Sequence, residues 1–278
     1  MSTFFADPGG AEDSSESLRR SMRKASATGL FPYLRPMSSR NQDQNPEFVH
    51  RAFSSIAQRY VLTNHVLSLG IDVLWRRKVA RHVREHGGGL ILDVATGSGD
   101  LARTLLDGVP GARVIGADFC APMLAEAKKR GLTELIVCDG LALPFPDGTF
   151  DALTIGYGLR NMADWSGALR EFARVLKPGG IVVVLDFSLP ASPLLRSPYR
   201  FYLHHLLPRV AGWLTGNREA YAYLGDSIER FPSGETMLSL IEASGLSGAK
   251  WEPQWGGISS LYLATKEAAA GEKSVSRK

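Results

Sequence analysis

Four carboxylates and two glycines set out the chemistry this chain could do. Leu90-Ile-Leu-Asp-Val-Ala-Thr-Gly-Ser-Gly-Asp100 is an apolar run that ends on Asp93 and turns through Gly97 and Gly99. Arg113-Val-Ile-Gly-Ala-Asp118 repeats the apolar run and its terminal acid about twenty residues on. Leu135-Ile-Val-Cys-Asp139 does so a third time, with Gly140 next. The pattern is the start of a nucleotide-type βαβ unit, in which a glycine turn opens a helix and an acid ends the following strand. Gly97-Ser-Gly-Asp-Leu-Ala102 also satisfies the dinucleotide fingerprint, so a nicotinamide-dependent dehydrogenase is the competing reading. Charge separates the two. A pyrophosphate is repelled by carboxylates at the strand ends, whereas a sulfonium carrying a free ammonium is attracted. The pocket is therefore read as one for S-adenosylmethionine. Asp93 and the Gly97–Ser98–Gly99 turn hold the amino-acid end, Asp118 accepts from the ribose hydroxyls, and Asp139 with Gly140 borders the adenine. Asp100 is expected in the first turn of a helix, where the dipole favours an acid.

Strands are expected at Leu90–Val94, Arg113–Ala117, Leu135–Cys138, Phe150–Ile155 and Ile181–Leu185, each apolar on both faces as in a buried parallel sheet. Helices are expected over Asp100–Leu106, over Pro122–Arg130, and after Asp164 as cap. Lys177-Pro-Gly-Gly180 suits a type II turn, and Ala249–Trp255 with Ser260–Thr265 an antiparallel hairpin. A helical pattern runs from Pro46 and breaks near Gly70. The expected fold is α/β: a doubly wound, mostly parallel seven-stranded sheet with N-terminal helices and a helical insertion, residues 190–230, over the substrate site. Residues 1–45 and 267–278 are expected to be tails flanking one domain, 46–266.

The formal net charge of +4 resides mainly toward the ends, residues 1–45 carrying +1 and residues 266–278 carrying +2, so the body is nearly neutral and offers no basic surface for nucleic acid. No run of about 18 apolar residues exists to span a membrane. The two cysteines, Cys120 and Cys138, have no metal-ligand spacing and are expected as free thiols; no metal is expected. His82 and His86 are i, i+4 but close a helix that ends in glycines. His204 and His205 are adjacent and point apart; one of them facing the pocket as a proton acceptor is an alternative. The stretch from Ser17 to Gln42 is free of acids and rich in arginine and serine, but the acidic opening at Glu12, Asp13 and Glu16 argues against a transit peptide. The expected location is cytoplasmic, peripheral to the inner membrane face, with the mitochondrial matrix less favoured.

Several blocks carry a family resemblance. They are Asp139-Gly-Leu-Ala-Leu-Pro-Phe-Pro-Asp-Gly-Thr-Phe-Asp151, Thr154-Ile-Gly-Tyr-Gly-Leu-Arg-Asn161, Arg174-Val-Leu-Lys-Pro-Gly-Gly180 and Leu185-Asp-Phe-Ser-Leu-Pro190. Two more are Phe53 to Trp75, with Arg59-Tyr60, and Tyr221-x-Tyr-Leu-x-x-Ser-Ile-x-x-Phe-Pro-x-Gly-Glu235. Over roughly residues 47–266 the chain resembles the ubiquinone/menaquinone biosynthesis C-methyltransferases. The resemblance implies a class I methyltransferase fold, S-adenosylmethionine as methyl donor, and a polyprenylated quinol methylated at a ring carbon. It implies cofactor contacts at Ser98, Asp118, Asp139 and Gly140. Three positions depart from the family pattern, all toward the substrate: Val61, Asp72 and Gly156.

Methylation of a hydroquinone carbon needs the adjacent hydroxyl deprotonated and a donor or cation near the oxygen. Arg160 is the expected cation, Asn161 an orienting donor, and Tyr60 a hydroxyl that holds a relay water. Arg160 cannot itself be the base. The apolar segment Tyr199–Leu214, flanked by Arg196, Arg200, Arg209 and Arg218, is the expected place for the polyprenyl tail and for transient contact with a membrane surface. A homodimer is a further expectation. Two other classes of reading stay open at this point: a methyltransferase of the same fold for another small molecule, and a weakly catalytic cofactor-binding subunit of a quinone-synthesis assembly.

Overall fold

The computed structural model describes residues 70–209, 212 and 218–267. The N-terminal tail, the helix expected after Pro46, Tyr60, Val61 and residues 268–278 lie outside the described residues.

Seven strands form one sheet in the order β3-β2-β1-β4-β5-β7-β6. They are β1 (Leu90–Val94), β2 (Arg113–Asp118), β3 (Leu135–Val137), β4 (Phe150–Gly156), β5 (Leu176–Phe187), β6 (Leu246–Gln254) and β7 (Ser259–Lys266). The first five run parallel; β7 pairs antiparallel with both β5 and β6. The fold class read from the sequence is the one observed. One face of the sheet is covered by α1 (Asp72–Glu85) and α2 (Asp100–Gly108), which bury Trp75, Val79, Val83, Leu101 and Leu105. On the other face α4 (Trp165–Val175) and α7 (Glu235–Glu242) bury Leu169, Phe172, Met237 and Ile241. Between β2 and β3, α3 (Ala121–Lys129) buries Met123, Leu124 and Ala127. Asp164 caps α4 as expected, its carboxylate accepting from Gly167 N at 2.8 Å.

Between β3 and β4 the chain crosses the sheet as an irregular segment, 138–149, that buries Leu143 and Phe145 in the core, and 143–149 is the run of turns its Pro, Asp and Gly residues lead one to expect. Arg174 supplies the hydrogen bonds a helix would have made internally. Its guanidinium donates to Phe145 O at 2.8 Å and Leu143 O at 3.0 Å, and pairs with Asp147 at 2.7 Å. Strand β5 begins at Leu176 rather than the expected Ile181. Leu176 pairs with Phe150, and the Pro178–Gly179 turn, with Gly179 at φ +79°, is an excursion within the strand.

After β5 come α5 (Pro193–Phe201), a π-helical turn (Tyr202–Leu206) and α6 (Arg218–Arg230), which make up the expected insertion. They share a small core of Leu203, Leu207, Tyr221 and Ile228. Among the described residues no helix is long and apolar enough to cross a membrane.

Candidate active site

Ligands of open parallel sheets bind at the carboxyl ends of the strands, where the winding reverses. Here that point is β1, flanked by β2 and β4. The chain leaves β1 through Ala95 (φ +52°), Gly97 (φ +57°) and Gly99 (φ +82°), and Gly99 caps α2 in the left-handed conformation. Only glycine serves at position 99: a Cβ there would lie 2.1 Å from Leu132 Cδ1. Asp118 locks this turn to β2. One carboxylate oxygen accepts from Gly97 N and the other from Cys120 N, both at 2.8 Å.

The four acids do not form a bare ring of charge, and this corrects the electrostatic reading. Asp93 is buried and takes the hydroxyls of Thr96 (2.6 Å) and Thr154 (2.7 Å) on its two oxygens. Burial pushes its pKa up to about 6. Asp100 stands in the first turn of α2 as expected, but it is neutralised. Arg130 lies 2.8 Å away and Arg76 3.9 Å, and Ser98 Oγ donates to it at 2.8 Å. Its pKa is lowered: burial opposes ionisation, and the two arginines with Ser98 outweigh it. Asp139 is exposed and folds one oxygen back onto Leu141 N at 2.9 Å. Asp118 is buried and engaged by the two backbone N–H groups of its turn, and of the four only Asp139 is exposed. The physical reason is the usual one: a buried carboxylate recruits donors from its own chain.

The segment Gly156–Met162 closes the other side. Tyr157 is held at φ +60°. Its carbonyl oxygen accepts from the Arg160 guanidinium and, at 3.3 Å, from Asn161 Nδ2. Asn161 Oδ1 in turn accepts from Tyr223 of α6 at 3.3 Å, which ties the insertion to this loop. Two close approaches bring the loop against the turn after β1. A Cβ at Gly158 would lie 2.5 Å from Ala95 Cβ, and one at Gly140 would lie 2.6 Å from Met162 Cε and 3.2 Å from Val94 Cγ1. The glycine turn, Asp139–Gly140 and the Arg160–Asn161 pair thus share one wall.

Arg160 is not the bare cation the sequence suggested. It is buried, its guanidinium pairs with Asp186 at 2.8 Å, and its backbone N–H donates to the same carboxylate at 3.1 Å. The Phe187 ring lies beneath it, 5.3 Å to the centroid. A fully desolvated guanidinium needs a counter-ion, and β5 supplies one at its carboxyl end. Asp186 was missed in the sequence, although it repeats the acid-at-strand-end pattern of Asp93 and Asp118. Thr96, Thr154 and Arg130 had no signal of their own. The alternative histidine base fails: His204 faces Glu229 at 3.0 Å and Asp226 at 3.6 Å, and exposed His205 lies on the Phe201 ring. His86 contacts Gly179 O at 2.7 Å, so it closes a helix, as expected. Cys120 and Cys138 are free thiols, and burial pushes Cys138 up to about 12. Among the described residues no group of three or more His, Cys, Asp or Glu could hold a metal ion.

The residues present suit S-adenosylmethionine. Asp118 and Asp139 offer acceptors for hydroxyl and ammonium donors, the turn presents backbone rather than side chain, and a Cβ at Gly140 would fill the space beside Val94.

Comparison with known proteins agrees. Residues 38–266 match the ubiE/COQ5 methyltransferase family. A demethylmenaquinone methyltransferase of Thermus thermophilus is 45% identical over 216 residues, 76% of this chain and 98% of that protein. One from Corynebacterium kroppenstedtii is 40% identical over 230 residues, 83% of this chain and 99% of its own. Among solved structures, a SAM-dependent methyltransferase from Thermotoga maritima superposes with a TM-score of 0.56 at 17% identity, over 78% of this chain and 99% of that one. Human N-acetylserotonin methyltransferase in complex with SAM gives a TM-score of 0.54 at 18% identity, over 92% of this chain and 67% of that one.

Proposed function

Because this chain belongs to the ubiE/COQ5 methyltransferase family, we propose that it methylates a ring carbon of a polyprenylated quinol of the demethylmenaquinol type. It is an S-adenosylmethionine-dependent methyltransferase with the class I fold; the ring it methylates and the residues that act are the proposal. The observation that carries it is the shared wall described above. Gly158 against Ala95 and Gly140 against Met162 place the family's Gly-Leu-Arg-Asn block beside the cofactor turn, as methyl transfer in line requires.

When bound, S-adenosylmethionine supplies an electrophilic methyl group on its sulfonium. Asp93, Gly97, Ser98 and Gly99 shape the amino-acid end, Asp118 faces the ribose, and Asp139 with Gly140 borders the adenine. Arg160 acts as a positioned hydrogen-bond donor toward the developing phenolate, fixed by Asp186 and by Tyr157 O. Asn161, held between Tyr157 O and Tyr223, orients the same oxygen. The hydroxyl proton leaves through a water held by Arg160 and Tyr60, which relays it to bulk solvent. Such a substrate is an amphiphile, so the enzyme works at the cytoplasmic face of a membrane without spanning it. A demethylmenaquinol substrate predicts that cells lacking this chain accumulate a quinone lighter by one methyl group, read by mass spectrometry. A normal quinone pool in those cells excludes the assignment.

A further inference from the structure

We propose that α5 and the β6–β7 turn form a bilayer-docking face that recognises anionic lipid. This deepens the quinol reading, since a polyprenyl tail has to be drawn from a membrane. The face is built from large apolar side chains that the fold does not use. Leu194 is 86% exposed, Phe201 63%, Leu195 52%, Leu206 49% and Trp255 63%. Among the described residues only three other large hydrophobic side chains are exposed, Leu74, Leu106 and Val137, and none of them lies on this stretch.

The arrangement follows from helical phase. Leu194 and Phe201 are seven residues apart, two turns, and share a face. The inward packing of this stretch is done by Leu203 and Leu207, and α5 itself has no buried residue. Trp255 joins the face because the turn lies on α5: a Cβ at Gly256 would be 3.1 Å from Leu195 Cδ1. Trp255 is held at φ +46°, an unusual conformation for an aromatic residue, yet its indole goes to solvent rather than to the core. Strain that gains no internal contact points to an external one.

Charge selects the occupant. Residues 188–218 contain four arginines, two histidines and no acid, within a chain of net +4. Arg196 and Arg209 are exposed beside the apolar side chains, where they donate to backbone carbonyls, while exposed Arg200 pairs with Glu229 at 2.5 Å. An apolar face rimmed by arginine, with a tryptophan at its edge, fits an anionic headgroup layer. A second copy of this chain would set the same arginines against one another.

The test uses the full-length protein and vesicles of phosphatidylcholine alone or with phosphatidylglycerol, none containing quinone. Binding is expected to the anionic vesicles, weakened by salt, with a blue shift of tryptophan emission. The variant Leu194→Glu/Leu195→Glu should bind about tenfold less. It should retain wild-type turnover on a short-chain, water-soluble demethylmenaquinol and lose turnover on a long-chain one carried in vesicles. Equal vesicle binding by variant and wild type overturns the proposal. So does a wild-type dimer that becomes monomeric in the variant with no vesicle binding by either, which would assign the face to self-association. Vesicle binding without methylation of any quinol would leave the face standing and remove the substrate.

Discussion

Asp93 carries an unusual protonation balance for a residue at a cofactor turn. Buried beneath two threonine hydroxyls, it has a pKa of about 6 against 3.8 for the ordinary group. Between those values the folded chain holds a proton that the unfolded chain releases. Stability therefore falls as pH rises from about 4 to 6 and is level above. The gap corresponds to about 3 kcal/mol. Asp93→Asn, neutral at every pH, should melt higher than the wild type at pH 7.5 and lose that advantage near pH 4. A constant difference across the range would show that burial does not raise Asp93. Arg160 calls for a different design. Arg160→Ala strands the buried Asp186 carboxylate and should cost about 3–5 kcal/mol of stability, so loss of turnover alone says little. Arg160→Met/Asp186→Asn removes both charges, fills the same volume and keeps an acceptor for the buried backbone N–H of residue 160. If Arg160 donates to the substrate oxygen, this variant should fold near wild-type stability, bind S-adenosylmethionine normally and turn over about a hundredfold more slowly. Recovered turnover would confine Arg160 to a structural pair.

At the scale of elements, the Tyr223 hydroxyl joins α6 to the loop after β4. Tyr223→Phe removes the bond to Asn161 and nothing apolar, so kcat should fall several-fold while the Kd for S-adenosylmethionine stays put. A change in cofactor affinity instead would place Tyr223 elsewhere in the cycle. The departure at Gly156 is an exchange between β4 and α2. A Cβ there would stand 3.1 Å from Leu101 Cδ2, so Gly156→Ser should destabilise by about 1–2 kcal/mol and Leu101→Ala should relieve part of it, measured as a double-mutant cycle. Additive effects would mean that α2 and β4 adjust independently. These elements also show what the sequence can reveal. Strands β1, β2 and β4, the Asp164 cap and the terminal hairpin were legible because period, caps and turns are local signals. The turns of the segment between β3 and β4 were legible in the same way, but not what holds them: Arg174, 29 residues from Phe145. Nor was the charge state of the site, since Asp100 meets Arg130 across 30 residues and Arg160 meets Asp186 across 26. Spacing reveals which residues share an element, and partners on different elements appear only once the sheet is assembled.

For the molecule as a whole, the cofactor turn is where parts distant in sequence converge: β1, β2, α2, α3 and the loop after β4 all contribute to its walls. A ligand that fits there bridges both halves of the sheet and should stabilise the folded state as a unit. At a concentration of 100 Kd, binding to the native state alone adds about 2.7 kcal/mol. For a domain of this size that raises the melting temperature by roughly 5–10 °C. S-adenosylmethionine should produce that rise in a thermal-shift measurement. The dinucleotide NAD, to which the glycine spacing is also matched, should not, because its pyrophosphate would sit at the Gly97–Gly99 turn beside the buried Asp93 carboxylate. Asp118→Asn sharpens the comparison. It keeps one acceptor oxygen but removes the charge, so it should cut the rise given by S-adenosylmethionine. A rise with NAD in the wild type, equal to that with the methyl donor, would mean that the acids do not choose the ligand.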